Sequence, residues 1–256
     1  MATNTRLDLT RYLTNSRFAH WGGRIAEKCG FSITRSTNTL KLRRMEVLSG
    51  LGIETVLDIG ANTGQWAREL RACGHRGRII SFEPGPSAFA QLEALSNTDQ
   101  LHECIQAGLG DQEGKAQLII GEFSENNSFR KQIRDLYPSS GSEAEDKATV
   151  PVRRLDSVLA ELSRTSDRFY VKIDTQGFER EVLTGARETL KTTDAVEIEL
   201  SLVELYEGQA LLPEIWNTLV SAGLRPAWIE RGYRDARDIW LLQIDGLFVR
   251  EASWNC

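Results

Sequence analysis

No run of this chain approaches the roughly 20 consecutive apolar residues that a membrane-spanning helix requires. The first residues, MATNTRLDLTRYL, interleave charge with polar side chains and lack the apolar core of a secretory signal, so export is not expected. Cysteine is scarce. Cys29, Cys73, Cys104 and Cys256 form no Cys-x-x-Cys pair, which argues against a zinc ribbon or a redox motif and fits free thiols of a reducing cytosol. Histidine is scarcer still, and His20, His75 and His102 allow neither a His-rich metal site nor a Ser-His-Asp order to be assembled from motif spacing. What is present is ordinary for a soluble cytoplasmic protein: 41% apolar and 26% charged residues, in a chain of 256 that can hold one large domain and a small appendage.

Charge is unevenly spread. Residues 1–44 carry nine Lys or Arg against Asp8 and Glu27, a net +7 that leaves −12 for the rest of a chain whose formal net charge is −5. With Leu9, Tyr12, Leu13, Phe18 and Trp21 among these cations, residues 1–50 read as a basic helical arm or lid. Such an arm packs on the main domain or on a second subunit of a homodimer, or it makes peripheral contact with an anionic membrane or an acidic substrate. The main domain, residues 51–256, is acidic, the wrong sign for nucleic-acid phosphates, so no nucleic-acid partner is expected.

From Thr55 onward, short apolar runs alternate with amphipathic stretches: TVLDIG, then QWARELRAC; RIISFE, then PSAFAQLEAL; RFYVKIDTQG, then EREVLTGARETLK; then AVEIELS. Alternation of this kind predicts an α/β fold with a mostly parallel sheet covered by helices on both faces. RPAWIERG and IWLLQIDGLFVRE lie close together near the C-terminus and predict an antiparallel hairpin at one sheet edge. Residues 138–149, PSSGSEAEDKAT, have almost no apolar side chain and read as a surface loop.

The stretch DIGANTG, at the end of the first run, carries the most chemistry. Gly60 can take a conformation closed to other residues, and Gly64 lets the next helix approach closely. A strand, a glycine turn and a helix N-terminus gather free backbone N–H groups around an anionic ligand. Dinucleotide enzymes use Gly-x-Gly-x-x-Gly, but here Asn62 stands where the second glycine would admit a pyrophosphate, and no Gly-Lys-Ser/Thr of a P-loop follows. Glu83 ends the next strand, 25 positions after Asp58, where a carboxylate can accept hydrogen bonds from two ribose hydroxyls. A nucleoside with a compact charged tail fits this pattern, and S-adenosylmethionine is such a molecule. Its amino-acid end is expected at Gly60, Ala61, Asn62, Gly64 and Gln65 with Asp58 beneath. Its ribose is expected on Glu83 beside Pro84, and its adenine near Gly108, Leu109 and Asp111.

The segments VLDIGANTGQW, SFEPGPSAF, VPVRRLDSVL, YVKIDTQGFEREVLTGA and VEIELS occur in an order and spacing that resemble the FkbM-type methyltransferases over roughly residues 53–205. The resemblance implies the class I, Rossmann-like methyltransferase fold with seven strands, and O-methylation of a hydroxyl on a sugar, glycolipid or polyketide-type secondary metabolite. Gln176 departs from the pattern, since many members carry Glu there. N- or carboxyl-methylation of another small molecule, and S-adenosylmethionine binding without turnover, are the alternatives. A base methyltransferase of nucleic acids would carry an Asn/Asp-Pro-Pro-Tyr/Phe turn where this chain has DTQG.

An alcohol is a poor nucleophile unless its proton is removed as the new bond forms, by a nearby base or with help from a metal. Asp174, just past FYVKI, is placed beside the methyl group in the implied topology, and Glu199 ends the neighbouring strand; these are the catalytic candidates. The two could also share a hard cation such as Mg²⁺. Lys172 and Glu197 precede them by two positions and share their faces, so one member of each pair can be structural while its partner faces the site. Glu179 reads as a cap of the next helix. Asn126, Asn127 and Ser128, with Gln176, are candidates to hydrogen-bond a polyhydroxylated acceptor, against a reading in which Asn127 or Ser128 is a helix N-cap. Trp66 reads as a packing residue, and so do most of Tyr206, Trp228, Tyr233 and Trp240.

Overall fold

The apolar runs become short strands because each is buried on both sides. In a computed structural model, which describes residues 40–121, 123–133, 146–162, 168–234 and 239–254, strands β1 (Thr55–Ile59) and β7 (Phe169–Ile173) are buried at every position. A strand covered by helices on both faces needs apolar side chains throughout rather than alternately. With β2 (Arg78–Phe82), β3 (His102–Ile105), β8 (Ala195–Ser201), β9 (Leu224–Arg231) and β10 (Gln243–Arg250) they form a seven-stranded sheet of order β3-β2-β1-β7-β8-β10-β9. Only β10 runs antiparallel, to β8 on one side and to β9 on the other. The expected mostly parallel sheet and C-terminal hairpin are therefore present, and the fold is of the Rossmann-like class.

Two apolar layers clamp the sheet. Leu57, Ile80, Val171, Ile198 and Phe248 pack against α4 (Leu155–Glu161), α5 (Glu179–Gly185), α6 (Arg187–Thr192) and α7 (Leu212–Ser221). On the other face Val56, Ile79, Tyr170 and Leu247 meet Val47 and Leu48 of α1 (Leu40–Gly50) and Ala67 and Leu70 of α2 (Gln65–Ala72). Each Val, Leu, Ile or Phe among them, fully buried, contributes about 1.5–3 kcal/mol. Helix α3 (Pro86–Ser96) follows β2, with Pro86 in its first turn, where a missing N–H costs nothing.

The basic arm expected over residues 1–50 lies outside the described residues as far as residue 39. Residues 40–50 form α1, which buries Leu40, Arg44, Val47 and Leu48. Of the loop expected over 138–149, residues 138–145 lie outside the described residues, and 146–149 instead begin β6 (Asp146–Arg153). β6 is the middle of a second sheet, β4-β6-β5, with β4 at Gly108–Leu109 and β5 at Gly114–Ile120. β5 and β6 pair antiparallel from Gly114↔Val152 to Ile120↔Asp146, so polar Asp146–Thr149 is a strand because it has a partner, not because it is apolar. Among the described residues no helix is long and apolar enough to cross a membrane.

The chain leaves β1 for β2 and β3 on one side and returns to β7 on the other. Crevices outside the carboxyl ends of strands at such a reversal are where open α/β sheets bind ligands.

Candidate functional site

At the reversal, β1 and β7 touch. The Asp174 N–H donates to Ile59 O at 3.0 Å, and a Cβ on Gly60 would fall 1.8 Å from Asp174 O. Only glycine fits there, and its φ of +78° is one that side chains disfavour. The N–H groups of Gly60 and Ala61 both donate to Phe82 O at 3.0 Å, which draws the turn against the end of β2. Asn62, at φ +48°, and Gly64, at φ +80°, complete the turn. A Cβ on Gly64 would meet Leu95 of α3 at 2.5 Å, so the element this glycine admits is α3 and not the helix that follows it, α2, as the sequence suggested.

Glu83 is buried beside the turn. One carboxylate oxygen accepts the Asn62 N–H and the other the Gly85 N–H, each at 2.8 Å. Burial pushes its pKa up, against these two N–H donors. Each oxygen keeps lone-pair capacity for one further donor. Beyond Glu83 the cleft is apolar, walled by Pro84, Ala107, Leu109, Leu118 and Phe129.

Beneath the turn runs a buried polar row. Lys172 Nζ lies 3.5 Å from Asp58 Oδ1 and 3.4 Å from Asp174 Oδ2, and donates to Gly60 O at 3.3 Å. Burial alone would lower the Lys172 pKa; the facing carboxylates of Asp174 and Asp58 outweigh it and raise the pKa, so the side chain is an ammonium. Ser81 Oγ is 3.5 Å from Asp58 Oδ2 and 2.9 Å from His102 Nε2. Serine, histidine and aspartate do meet here, but Ser81 is fully buried and sits between the other two, so this is a support and not a nucleophile.

Asp174 is the member of the row that reaches the cleft, with its side chain 39% exposed. Gln176 Nε2 donates to its Oδ1 at 2.8 Å. The loop that carries both is capped from below by Glu179, whose Oε1 accepts the N–H of Thr175, the N–H of Gly177 and the Thr175 hydroxyl at 3.1 Å each. Glu199 lies on β8 opposite Asp245 of β10 and accepts a hydrogen bond from Gln243. Burial, then the charges of Asp174, Glu179 and Asp245, raise its pKa well above the usual carboxylate range. Glu197, two residues earlier, is structural: Arg44 clasps it, and Tyr170 and Trp66 donate to it.

Of the residues expected to hold the cofactor, Gly60, Asn62, Glu83, Pro84, Gly108 and Leu109 line the cleft. Asp58, Ala61 and Gly64 are buried behind it, while Gln65 and exposed Asp111 lie outside its lining. Asn127 and Gln176 line the cleft; Asn126 ends a short 3-10 turn, Ser124–Asn126. Ser128 is buried, its hydroxyl donating to Gln176 O at 2.6 Å, so it ties loops together. Trp66 stacks on Tyr170 at 6.3 Å, Tyr206 is fully buried, and Trp240 is exposed. The shared cation imagined for Asp174 and Glu199 gains no support. Among the described residues no group of three or more His, Cys, Asp or Glu is arranged to hold a metal. Sequence reasoning missed Leu118 and Phe129, because β5 and the loop after it reach the cleft only through the second sheet.

The residues fit S-adenosylmethionine. Asn62 Oδ1 is buried without a hydrogen-bond partner among the described residues, the Gly60 cradle would be filled by a Cβ, and Glu83 offers two acceptor oxygens beside an apolar slot.

Residues 58–234 match the family model described as "Methyltransferase FkbM domain". A protein described as 2-O-methyltransferase NoeI, from Sinorhizobium fredii (strain NBRC 101917 / NGR234), is 28% identical over 224 residues, covering 84% of this chain and 91% of that protein. Methyltransferase 1 of Beauveria bassiana (strain ARSEF 2860) is 26% identical over 161 residues, 57% of this chain and 64% of that one. Among solved structures, methyltransferase FkbM from Methylobacillus flagellatus KT aligns with a TM-score of 0.47 at 17% identity, covering 76% of this chain and 43% of that one.

Proposed function

The chain belongs to the FkbM methyltransferase family and is an S-adenosylmethionine-dependent methyltransferase, and from that premise we propose that it methylates a hydroxyl oxygen of a sugar, glycolipid or polyketide-type acceptor. The name of the Sinorhizobium relative, a 2-O-methyltransferase, supports oxygen as the atom modified. The observation that carries the reading is the place of Asp174. It is the partly exposed carboxylate at the junction of β1 and β7, in the same cleft as Glu83.

In this reading the Gly60–Gly64 turn and the first amides of α2 hold the amino-acid end of the cofactor, Glu83 takes the ribose hydroxyls, and the slot beyond Pro84 takes the adenine. When bound, S-adenosylmethionine supplies an electrophilic methyl group on a good leaving group. Alignment of the acceptor oxygen then provides most of the rate. Asp174 accepts the hydroxyl proton as the oxygen is methylated and passes it to solvent. Lys172 holds that carboxylate in place. Glu199, whose pKa is raised by burial and by the charges of Asp174, Glu179 and Asp245, accepts from Gln243 and stands outside the cleft lining, so the base is Asp174 and not Glu199. Asn127 and the rim of the cleft orient the acceptor.

Transfer of a tritiated methyl group to a library of hydroxylated glycosides and polyketides tests this. Turnover is expected, and Asp174→Ala should reduce it by at least about 100-fold, the low end of acid–base contributions. Undiminished turnover in that variant would dismiss Asp174 as the base.

A further inference from the structure

Gln176 sits at φ +53°, a left-handed conformation that costs a residue with a side chain about 1–2 kcal/mol. Three contacts hold it there. Its carbonyl accepts the Ser128 hydroxyl at 2.6 Å, its Oε1 accepts the Tyr206 hydroxyl at 2.8 Å, and its Nε2 donates to Asp174 Oδ1 at 2.8 Å. Both ends of the amide are engaged by protein, so Gln176 is less a contact for the acceptor than a link in a chain that ends on Asp174.

The other end of that chain is rigid. Tyr206 is fully buried, and its ring lies against Gly177, where a Cβ would come within 3.0 Å of the ring. Its backbone is laced to the segment before it in space: Glu207 N–H donates to Lys131 O at 2.8 Å, Ile133 N–H to Leu205 O at 2.9 Å, and Gln209 accepts the N–H groups of Leu205 and Tyr206. The orientation of the amide is then determined. If it flipped, its oxygen would face the Asp174 carboxylate, acceptor against acceptor.

From this geometry we infer that Tyr206 and Gln176 are positioning residues: the phenol fixes the amide, and the amide fixes the rotamer of Asp174. Lys172 on Oδ2 and Gln176 on Oδ1 pin the plane of the carboxylate from its two sides, leaving its remaining lone pairs to the cleft that Asp174 lines. The inference rests on the proposed role of Asp174 as the base.

Two variants test it. Tyr206→Phe keeps the ring on Gly177 and removes the hydroxyl alone; Gln176→Met keeps length and removes the amide. Each should lower kcat for methyl transfer into the glycoside library about tenfold, the worth of one good neutral hydrogen bond, and leave the KM for S-adenosylmethionine and the Kd for S-adenosylhomocysteine unchanged. The double variant should fall no further than Gln176→Met, because both changes break one link. Independently of turnover, crystals of Tyr206→Phe should show Asp174 spread over more than one rotamer where the parent shows one. Wild-type kcat in Tyr206→Phe, multiplying effects in the double variant, a single Asp174 rotamer throughout, or an equal loss of S-adenosylhomocysteine affinity would each overturn the inference while leaving Asp174 as base. Undiminished turnover in Asp174→Ala would overturn both.

Discussion

Arg44 on α1 clasps Glu197 on β8 with two hydrogen bonds of 2.6 Å, and both residues are almost wholly buried. The guanidinium also donates to Glu69 at 2.9 Å and lies 4.8 Å from the centre of the Trp66 ring. Removing one partner leaves an uncompensated buried charge, which costs about 3–5 kcal/mol. Arg44→Met should lower the urea midpoint accordingly. Adding Glu197→Leu should restore only part of the loss, because the Tyr170 hydroxyl and the Trp66 N–H would then lack their acceptor. An Arg44→Met variant as stable as the parent would show that α1 is held by its apolar face alone.

Gly60→Ala should cost about 2–4 kcal/mol, from a disfavoured positive φ and a backbone collision at Asp174 O. It should also abolish S-adenosylhomocysteine binding in calorimetry. Gly64→Ala provides the contrast. Its Cβ would meet the tip of the Leu95 side chain, which can move, so the loss in urea unfolding should be smaller.

Glu83→Ala should weaken S-adenosylhomocysteine at least tenfold, since hydrogen bonds to charged groups contribute about 1.5–3 kcal/mol, and NAD should not bind the parent at all. Calorimetry with both ligands decides. Retained affinity in the variant would take the ribose away from Glu83.

The carboxyl of Asp245 is pushed up to about 6 by burial, then by Asp174 and Glu197. Its unfolded value is about 3.9, so over that interval the native state binds more protons than the unfolded chain. The stability carried by the protonated form is fully present below about pH 4 and is lost as pH rises through about 6. Asp245→Asn should therefore match the parent in urea unfolding near pH 3.5 and exceed it at pH 8. Glu199, raised in the same direction, leaves the variant some residual decline. The parent's full decline in Asp245→Asn would exclude Asp245 as its source.

Much of this was legible in the residues, and the reason is local. β1, β2, β7 and β8 are apolar runs ended by turns, and the special conformation of Gly60 was expected from DIGANTG, whereas the positive φ of Gly64 was not. Strand alternation allowed that one member of each pair, Lys172 with Asp174 and Glu197 with Glu199, would be tied into the structure, without saying which; the structure ties in Lys172 and Glu197. The second sheet was not legible, because β4 has two residues and Asp146–Thr149 owes its strand to pairing with β5. The hydrogen bonds of Gln176 were not legible either. The partners that consume its hydrogen bonds, Ser128 and Tyr206, lie 48 and 30 residues away in the chain.

The bond from Ser128 to Gln176 joins the hairpin side of the crevice to the side that bears Asp174. Ser128 is itself bridged to β5, through Ile119. A wall fastened in this manner does not swing outward independently of the loop that carries Asp174: whatever displaces β5 and the turn after it pulls on Gln176 as well.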